Sequence, residues 1–347
     1  MSKIEWTGES WNPIVGCSLE SPGCKSCYAM TLAARLALMG TAPVYEGLTE
    51  NTKTGAVWTG RLAFSETALL KPLKRHKPQT YFVNSMGDLF HEDCPDEWID
   101  QVFATMALSP QHTFQVLTKR ATRMRNYFER CRWHKWAAIG RAMDANRWAN
   151  LPKIYGGDRT PMPNVWLGVS VEDQQRADNR IPDLLATPAA VRWISAEPLI
   201  GPINLRTLHY DGFTNIDALA GRHGLTFGHD CQKLDWVVVG GESGKRARPM
   251  HPDWARSLRE QCAATDVPFF FKQWGAWKPV LDRDNEDPDW RQGALYRRAK
   301  SAAAVRILNI EGGHGFHGDR VHVVQRVGKK SAGRTLDGVE FDGMPKA

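Results

Sequence analysis

The chain has 347 residues, of which 42% are apolar and 24% are charged, and it carries a formal net charge of +7. This length allows one large α/β domain or two modest ones, whereas no apolar stretch approaches the roughly eighteen residues of a membrane span and the N-terminus lacks the apolar segment of a secretory signal. We therefore expect a cytoplasmic, reducing setting, no membrane partner, and cysteines that serve as thiols or metal ligands rather than in disulfides.

Short apolar runs recur along the chain, and most of them are followed by a helical pattern. Runs such as YFVNS, VWLGVS and WVVVGG are apolar on both faces, which is typical of parallel strands that are covered on each side. We predict strands at Pro13–Gly16, Tyr81–Ser85, Thr113–Leu117, Val165–Val169, Val191–Ser195, Trp236–Val239 and Pro268–Lys272.

Three helices follow from apolar periodicity and from residues that begin or end helices. The segment YAMTLAARLALMG follows Cys27 and ends at Gly40, Asp96–Leu108 carries its apolar residues on one face, and Pro252 begins a helix that places Cys262 in the core. Alternating strands and helices favour a parallel α/β sheet with right-handed crossovers. Because no G-x-G-x-x-G follows the first strand, we predict a barrel-like fold rather than a dinucleotide-binding sheet.

Several segments do not fit the alternation of strands and helices. We expect the barrel to span residues 1–278 with insertions at about 41–78, 130–164 and 201–233, and we expect the last of these to be loop. Long insertions at one end of a barrel usually shape the substrate site. Residues 279–347 are predicted to form a C-terminal extension that is either small and β-rich or flexible.

The sharpest motif is Cys17-x6-Cys24-x2-Cys27, which lies between the first predicted strand and the first predicted helix. Pro22 and Gly23 allow this loop to turn back, so that three sulfurs converge on one point. Thiolates select zinc or iron–sulfur clusters over hard cations. A structural zinc ion would want a fourth nearby ligand, whereas three cysteines on a four-iron cluster leave one iron open. The pattern favours the cluster, and a zinc site remains the alternative.

These residues resemble the radical S-adenosylmethionine superfamily. W-N-P-x-x-G-C, C-x-x-C-Y-A, N-S-M-G-D-L-F, G-G-E-S-G and F-K-Q-W-G together look like a phage- and prophage-associated, largely uncharacterised group within it, distantly like spore photoproduct lyase. The first gap of the cysteine motif has six residues instead of the usual three, and Ser26 stands where an aromatic residue is expected.

The resemblance implies a partial (β/α)6-type TIM-like barrel and a [4Fe–4S] cluster on Cys17, Cys24 and Cys27. It also implies S-adenosylmethionine as the second cofactor and a reducing electron donor of the flavodoxin or ferredoxin type. The implied chemistry is reductive cleavage of S-adenosylmethionine followed by abstraction of hydrogen from a substrate. Cys231 and Tyr28 are candidate hydrogen donors.

Polar residues follow the predicted strands, at the end where a barrel binds its ligands. The resemblance implies that a glycine-rich segment at Gly87 and the carboxylate of Asp88 hold the amino group of the methionine moiety. Each such residue taken alone could instead be a turn former or a helix cap. The candidate cofactor-binding residues are Ser85, Gly87, Asp88, Ser170, Glu172, Glu197, Gly241, Glu242 and Lys272.

A basic and aromatic stretch between Leu117 and Trp148 bears on the substrate. Arginine and aromatic side chains can bind phosphates and stack on bases, so Arg123, Arg130 and Arg132 are candidate nucleic-acid contacts. We expect the substrate to be a nucleic-acid base or nucleotide, in DNA modification or repair. The alternatives are a small metabolite or a peptide, with the arginines on the solvated faces of amphipathic helices, and a non-enzymatic, zinc-stapled nucleic-acid-binding module.

Overall fold

A computed structural model describes residues 7–40, 42–53, 55–130, 132–151, 161–210, 214–224, 229–284, 304–313 and 320–345. The strands are β1 (Glu9–Trp11), β2 (Ile14–Val15), β3 (Thr49–Thr52), β4 (Gly55–Trp58), β5 (Ala63–Phe64), β6 (Thr80–Val83), β7 (Thr113–Thr118), β8 (Val165–Ser170), β9 (Val191–Ala196), β10 (Leu208–Tyr210), β11 (Thr214–Asp217), β12 (Arg222–His223), β13 (His229–Asp230), β14 (Trp236–Gly240), β15 (Phe269–Gln273), β16 (Trp277–Asp284), β17 (Val305–Leu308) and β18 (Arg320–Arg326). The α-helices are α1 (Tyr28–Leu38), α2 (Glu66–Leu69), α3 (Asp96–Ala107), α4 (Ala121–Glu129), α5 (Trp133–Met143), α6 (Ala145–Ala149), α7 (Gln174–Ala186), α8 (Pro252–Ala263) and α9 (Lys329–Ala332). Within these ranges, no helix is long and apolar enough to cross a membrane.

The main sheet has seven strands in the order β1-β6-β7-β8-β9-β14-β15. Neighbours run parallel in the pairs β1/β6, β6/β7, β7/β8 and β14/β15. Every residue of β8 and β9 is buried, as expected for strands that are apolar on both faces. The expectation of a mixed α/β fold with a large parallel sheet is therefore confirmed, and this sheet is compatible with a partial TIM-like barrel.

Six of the seven predicted strands lie in this sheet, and the first was placed wrongly. The strand that pairs with β6 is Glu9–Trp11, whereas Ile14–Val15, within the predicted Pro13–Gly16, pairs antiparallel with Ala63–Phe64. Pro13 has no N–H to donate to a sheet ladder, so the chain leaves the main sheet just before it.

The chain divides into two compact units, of which the first comprises Met1–Ser170 and Arg180–Trp193. Its core joins rings from three strands, since Phe114 lies 5.2 Å from Trp11 and stacks on Tyr81 at 5.6 Å between ring centroids. Phe103 of α3 stacks on Trp136 of α5 at 4.9 Å. Tyr127 and Trp136 of the basic stretch thus lie in the core of this unit, but so do Arg120 and Arg132, which the amphipathic-helix alternative placed in solvent.

The second unit comprises Val171–Asn179 and Ile194–Ala347. The segment 201–233, which we expected to be loop, contains a four-stranded antiparallel sheet in the order β10-β11-β12-β13. These strands have two to four residues each, and their sequences are mostly polar. Such short strands carry no apolar alternation, which is why the sequence pattern missed them.

The described part of the tail contains a three-stranded antiparallel sheet in the order β16-β18-β17. The predicted boundary after residue 278 falls inside β16, which begins at Trp277. The last described residues return to β15, where the N–H of Phe271 donates to the carbonyl of Phe341 and the N–H of Gly343 donates to that of Phe269, each at 3.0 Å. Parts of the predicted insertions and of the tail lie outside the described residues.

Candidate metal centre

The three cysteines of the motif lie on one loop of the first unit, between β2 and α1. Cys24 ends a short 3₁₀ turn that Pro22 begins, and Cys27 directly precedes α1. The loop starts at Gly16, whose φ of 96° favours glycine and whose added Cβ would lie 2.2 Å from the carbonyl oxygen of Arg61. Cys24 is buried, and Cys17 and Cys27 are half-buried. The local sequence therefore folds the loop back under the start of the helix.

The three thiols lie close enough to influence one another electrostatically. Burial raises the pKa of the Cys17 thiol to about 12, with Asp88, Cys24 and Cys27 adding to the rise and Arg120 opposing it. Burial also raises the pKa of Cys27, while the backbone N–H groups of Ala29 and Met30 act against that rise. Without metal, these two groups are protonated thiols at neutral pH, and a bound metal has to displace their protons.

The spacing of the sulfur atoms bears on the kind of metal group. Within the described ranges, three ligand atoms that all lie within 4.8 Å of one another occur at His251, Asp253 and His322, and not among the cysteines. One zinc ion gathers its ligands that closely. Within the described residues, the three cysteine sulfurs therefore do not converge as closely as the sequence predicted, and no contact in the structure assigns them a cofactor.

Arg120, which follows β7, connects the cysteine loop to the main sheet. Its Nη2 donates to Ser18 Oγ at 2.7 Å, and its Nη1 lies 3.7 Å from Cys17 Sγ. The same guanidinium donates through Nη1 to Asp88 at 3.0 Å and through Nε to Glu92 at 2.7 Å. The side chain is only 3% exposed, so a fixed positive charge lies beside the first cysteine.

Asp88, predicted to bind the amino group of a cofactor, is engaged by the protein itself. Its Oδ1 accepts from Thr118 Oγ1 at 2.6 Å and from the N–H of Phe90 at 3.0 Å, and its Oδ2 accepts from the N–H of Lys119 and from Arg120. A carboxylate with four such bonds is held rigidly. In this structure Asp88 orients Arg120 and the turn after β7.

Gly87 brings the segment after β6 against the segment before Cys17. It forms a parallel bridge with Gly16, and an added Cβ would lie 2.9 Å from the carbonyl oxygen of Gly16. Asn12 Oδ1 accepts from Ser85 Oγ at 3.1 Å and from the N–H of Met86. This close approach joins two backbone segments of the protein, and the contact of Gly87 with a cofactor stays a prediction.

Two further predicted residues of the first unit lie at its strand ends. Ser170, at the end of β8, accepts a hydrogen bond from Lys119 Nζ at 2.8 Å. The side chain of Tyr28, a candidate hydrogen donor, is 55% exposed, and its hydroxyl donates to the carbonyl of Ser85 at 3.0 Å. The cysteine loop, the segment after β6 and the residues after β7 therefore meet at one edge of the first unit.

In the second unit the predicted acids are paired with basic or amide side chains. Glu197 accepts from Lys272 Nζ at 2.7 Å and from Gln273 Nε2 at 2.9 Å. Glu242 accepts from Arg248 Nη2 at 2.6 Å and Nε at 2.9 Å, a bidentate pair that raises the pKa of Arg248. Lys272, predicted to bind a cofactor, here balances the charge of Glu197.

Three more predicted residues belong to the second unit, and each has a different environment. Glu172 is fully buried, and its charge also contributes to the raised pKa of Arg248. An added Cβ at Gly241 would lie 2.1 Å from the carbonyl oxygen of Trp274, so only glycine fits there. Cys231 directly follows β13, and burial raises the pKa of its thiol.

The three arginines predicted to bind nucleic acid have different environments. Arg132 is buried, pairs with Asp96 and Asp100, and lies 4.7 Å from the centroid of the Tyr127 ring. Arg123 also pairs with Asp96. The side chain of Arg130, by contrast, is 77% exposed and lies 3.9 Å from Asp96. Of the three, Arg130 alone presents most of its side chain to solvent.

Sequence reasoning placed Arg120 among the polar residues after a strand without giving it a role, and it did not single out Arg248. The only signals were the T-K-R run at the end of β7 and the K-R-A-R run after β14, and both read equally well as solvated charge. Their partners lie far away or across a turn, at Cys17 and Ser18 for Arg120 and at Glu242 for Arg248.

Comparison with known proteins identifies a family but no characterised relative. A family model described as "Protein of unknown function (DUF5131)" matches residues 1–345. Searches of curated proteins and of solved structures find nothing that matches.

Proposed function

We propose a function for this chain, which belongs to the DUF5131 family of proteins of unknown function. In this proposal Cys17, Cys24 and Cys27 hold a [4Fe–4S] cluster, and the protein is a radical S-adenosylmethionine enzyme. The chemistry that such a cluster supplies is the one-electron reductive cleavage of S-adenosylmethionine, with the electron from a flavodoxin- or ferredoxin-type donor. The proposal includes a partial (β/α)6-type TIM-like barrel and a cytoplasmic setting.

The observation that carries the proposal is the position of three thiols on one loop beside a buried arginine. Three thiolates bring three negative charges into a largely buried place, which is costly without compensation. Arg120 supplies a fixed positive charge 3.7 Å from Cys17 Sγ, and the charge of Lys119 opposes the raised pKa of Cys27. Hydrogen bonds and charges beside cluster sulfurs also tune the reduction potential.

The remaining residues of the first unit would hold and position the ligands. Asp88 and Ser18 keep Arg120 in place. Gly87 lets two backbone segments meet beside the cysteine loop. Tyr28 is the candidate hydrogen donor of this unit. Within the first unit, our candidates for contacts to S-adenosylmethionine are Ser85, Gly87, Asp88 and Ser170.

For the substrate we propose a nucleic-acid base or nucleotide. The net charge of +7 and the exposed Arg130 support an anionic partner. Arg123 and Arg132 are paired with Asp96, so fewer arginines support nucleic-acid binding than the sequence suggested. A small metabolite or a peptide is the alternative, and it predicts no salt-dependent binding of nucleic acid.

Anaerobic reconstitution with iron and sulfide tests the metal centre. We expect a brown protein with about four iron atoms per chain that, when reduced, converts S-adenosylmethionine to methionine and 5′-deoxyadenosine. Single changes of Cys17, Cys24 or Cys27 to Ala should abolish both properties. Cys262→Ala is the matched control, because this cysteine lies in the core on α8 and should leave iron content and cleavage unchanged.

Two outcomes would contradict the assignment of the cluster to these cysteines. One zinc per chain, bound by the three cysteines, with no cleavage of S-adenosylmethionine would support the zinc-stapled module instead. Equal iron content in the Cys24→Ala variant and in the wild-type protein would show that the cluster, if present, lies elsewhere.

A further inference from the structure

A second group of metal-ligating side chains lies in the second unit, where α8 begins beside the tail sheet. His251 directly precedes α8, Asp253 is the second residue of that helix, and His322 lies on β18. Asp282 of β16 is the cross-strand partner of His322. His251 is 1% exposed and His322 is 3% exposed. Two buried imidazoles and two carboxylates are thus brought together by three elements.

The ligand atoms of His251, Asp253 and His322 all lie within 4.8 Å of one another. His322 Nε2 is 2.9 Å from Asp253 Oδ2, and its Nδ1 is 3.1 Å from Asp282 Oδ1. The buried Nε2 of His251 has no hydrogen-bond partner among the residues that the structure describes. A buried polar atom without a partner is rare and costly, which points to a ligand at this place.

We propose that His251, Asp253 and His322 bind a divalent first-row transition ion such as Zn²⁺. Two imidazoles and one carboxylate form a donor set that these ions accept readily, at about 2.0–2.2 Å from zinc. Asp282 would accept from His322 Nδ1–H and so orient the ring, as carboxylates commonly do behind a histidine ligand. Such an ion would tie the start of α8 to the tail sheet.

The charges around the site leave room for a cation. Asp253, Asp282 and Asp337 carry three negative charges, and Arg256 and Arg259 carry two positive ones. Arg256 engages Asp253 through Oδ1 at 2.7 Å, which leaves Oδ2 facing His322. With both imidazoles neutral, these five charged groups leave one negative charge uncompensated. Against the opposing effect of burial, Asp253 and Asp282 raise the pKa of His322, so a metal ion has to displace a proton from that ring.

Binding at His251 Nε2 has one structural cost. The Nδ1 atom of His251 accepts from the N–H of Asp253 at 3.1 Å, so the ring proton of the neutral imidazole is on Nε2. Because a metal ion binds the neutral imidazole, binding at Nε2 moves the ring proton to Nδ1, which ends that helix-capping hydrogen bond. The loss of one cap is small beside the formation of three metal–ligand bonds.

The test is zinc binding by the full chain in which Cys17, Cys24 and Cys27 are all changed to Ser, so that the cysteine loop contributes no ligand. We expect about one tightly bound Zn²⁺ per chain, and the loss of that equivalent when His251→Asn is added. Asp282→Asn should weaken binding about 10-fold. His209→Asn, an exposed histidine on β10, is the matched control and should bind zinc unchanged.

X-ray absorption spectroscopy at the zinc edge of the triple-Ser chain identifies the atoms bound to zinc without a histidine variant. Nitrogen and oxygen ligands with scattering from two imidazoles support the site. The proposed site would be overturned if zinc did not bind tightly, or if the spectrum showed scattering from fewer than two imidazoles. Retention of zinc by a folded His251→Asn variant would overturn it as well. Each of these results would leave these residues as a hydrogen-bond network only. Because the cysteines are removed throughout, these outcomes do not depend on the proposed cluster.

Discussion

At the scale of single residues, the candidate centre depends on one buried ion pair. Asp88 and Arg120 have side-chain exposures of 8% and 3%, and each also bonds to other groups of the first unit. Removing one partner of such a pair leaves the other charge buried and unpaired, which costs more than the pair itself contributes. The primary role of this pair is therefore to stabilise the structure around the cysteine loop.

We expect Asp88→Asn to lower the free energy of unfolding by about 3 kcal/mol, because the amide presents N–H groups to donors and leaves Arg120 uncompensated. Urea unfolding of the metal-free chain measures this change. Glu92→Gln is the matched control, since Glu92 pairs with the same guanidinium but is 58% exposed, and it should cost less than about 1 kcal/mol. Equal losses in the two variants would contradict the role given to Asp88.

Arg120→Lys keeps the charge but not the fork of donors that reaches Ser18, Cys17, Asp88 and Glu92 at once. We expect the reconstituted variant to lose iron to a chelator about 10-fold faster than the wild-type protein. Arg123→Lys, whose arginine pairs with Asp96 away from the loop, is the control. Iron loss at the wild-type rate would show that Arg120 does not support the centre.

The role of the cysteines could be predicted from the sequence, but the contact of Arg120 with Cys17 could not. Three thiols close together on one loop are a local pattern, and the chemistry of thiolates limits what they can bind. Arg120 acts on Cys17 from 103 positions away. Only the register of the parallel strands brings them together, and no local pattern in the sequence carries that information.

At the scale of elements, strands were predictable where they are long and buried. Strands β8 and β9 have six residues each and are buried throughout, so their apolar runs stand out. The two-residue strands β12 and β13 carry no such signal. The first strand was misplaced because the apolar residues after Pro13 looked more strand-like than ESW, which forms β1.

Helices α3, α4 and α5 are joined by a buried polar network around Asp100. Its Oδ1 accepts from the hydroxyl of Tyr127 at 2.8 Å and from Trp136 Nε1 at 3.2 Å, and it pairs with Arg132. Asp100 itself is 1% exposed. The network explains why Arg132 of this stretch points inward. The number of arginines in the stretch therefore overstates the positive charge that a binding partner can contact.

We expect Asp100→Ala to destabilise the protein by about 3 kcal/mol, because it leaves Arg132, Tyr127 and Trp136 with unsatisfied polar atoms in the core. Arg130→Ala, at an exposed position of the same stretch, should change stability by less than about 0.5 kcal/mol. Denaturant midpoints and slopes for both variants give the comparison. Similar midpoints would show that the network contributes little.

At the scale of the whole molecule, the net charge of +7 does not tell which basic residues a binding partner can reach, because some of them are paired with acids inside the protein. Charges paired inside the protein do not release counterions when nucleic acid binds, so they contribute nothing to the salt dependence of affinity. In the basic stretch, Arg123 and Arg132 are paired, whereas Arg130 and Arg141 are exposed. A test of nucleic-acid binding should therefore target the two exposed arginines.

We expect single-stranded DNA to bind with an affinity that falls as salt rises. The double variant Arg130→Ala/Arg141→Ala should reduce the slope of log affinity against log salt by about 1.4, that is about 0.7 for each phosphate that is no longer neutralised. Lys233→Ala/Lys330→Ala removes the same charge from exposed positions of the second unit and is the matched control. A slope that changes equally in both double variants would reduce the interaction to net charge alone. Binding that is undetectable at low salt would remove nucleic acid as the substrate and favour a small metabolite or a peptide, while leaving the cysteine centre to be judged by its own experiment.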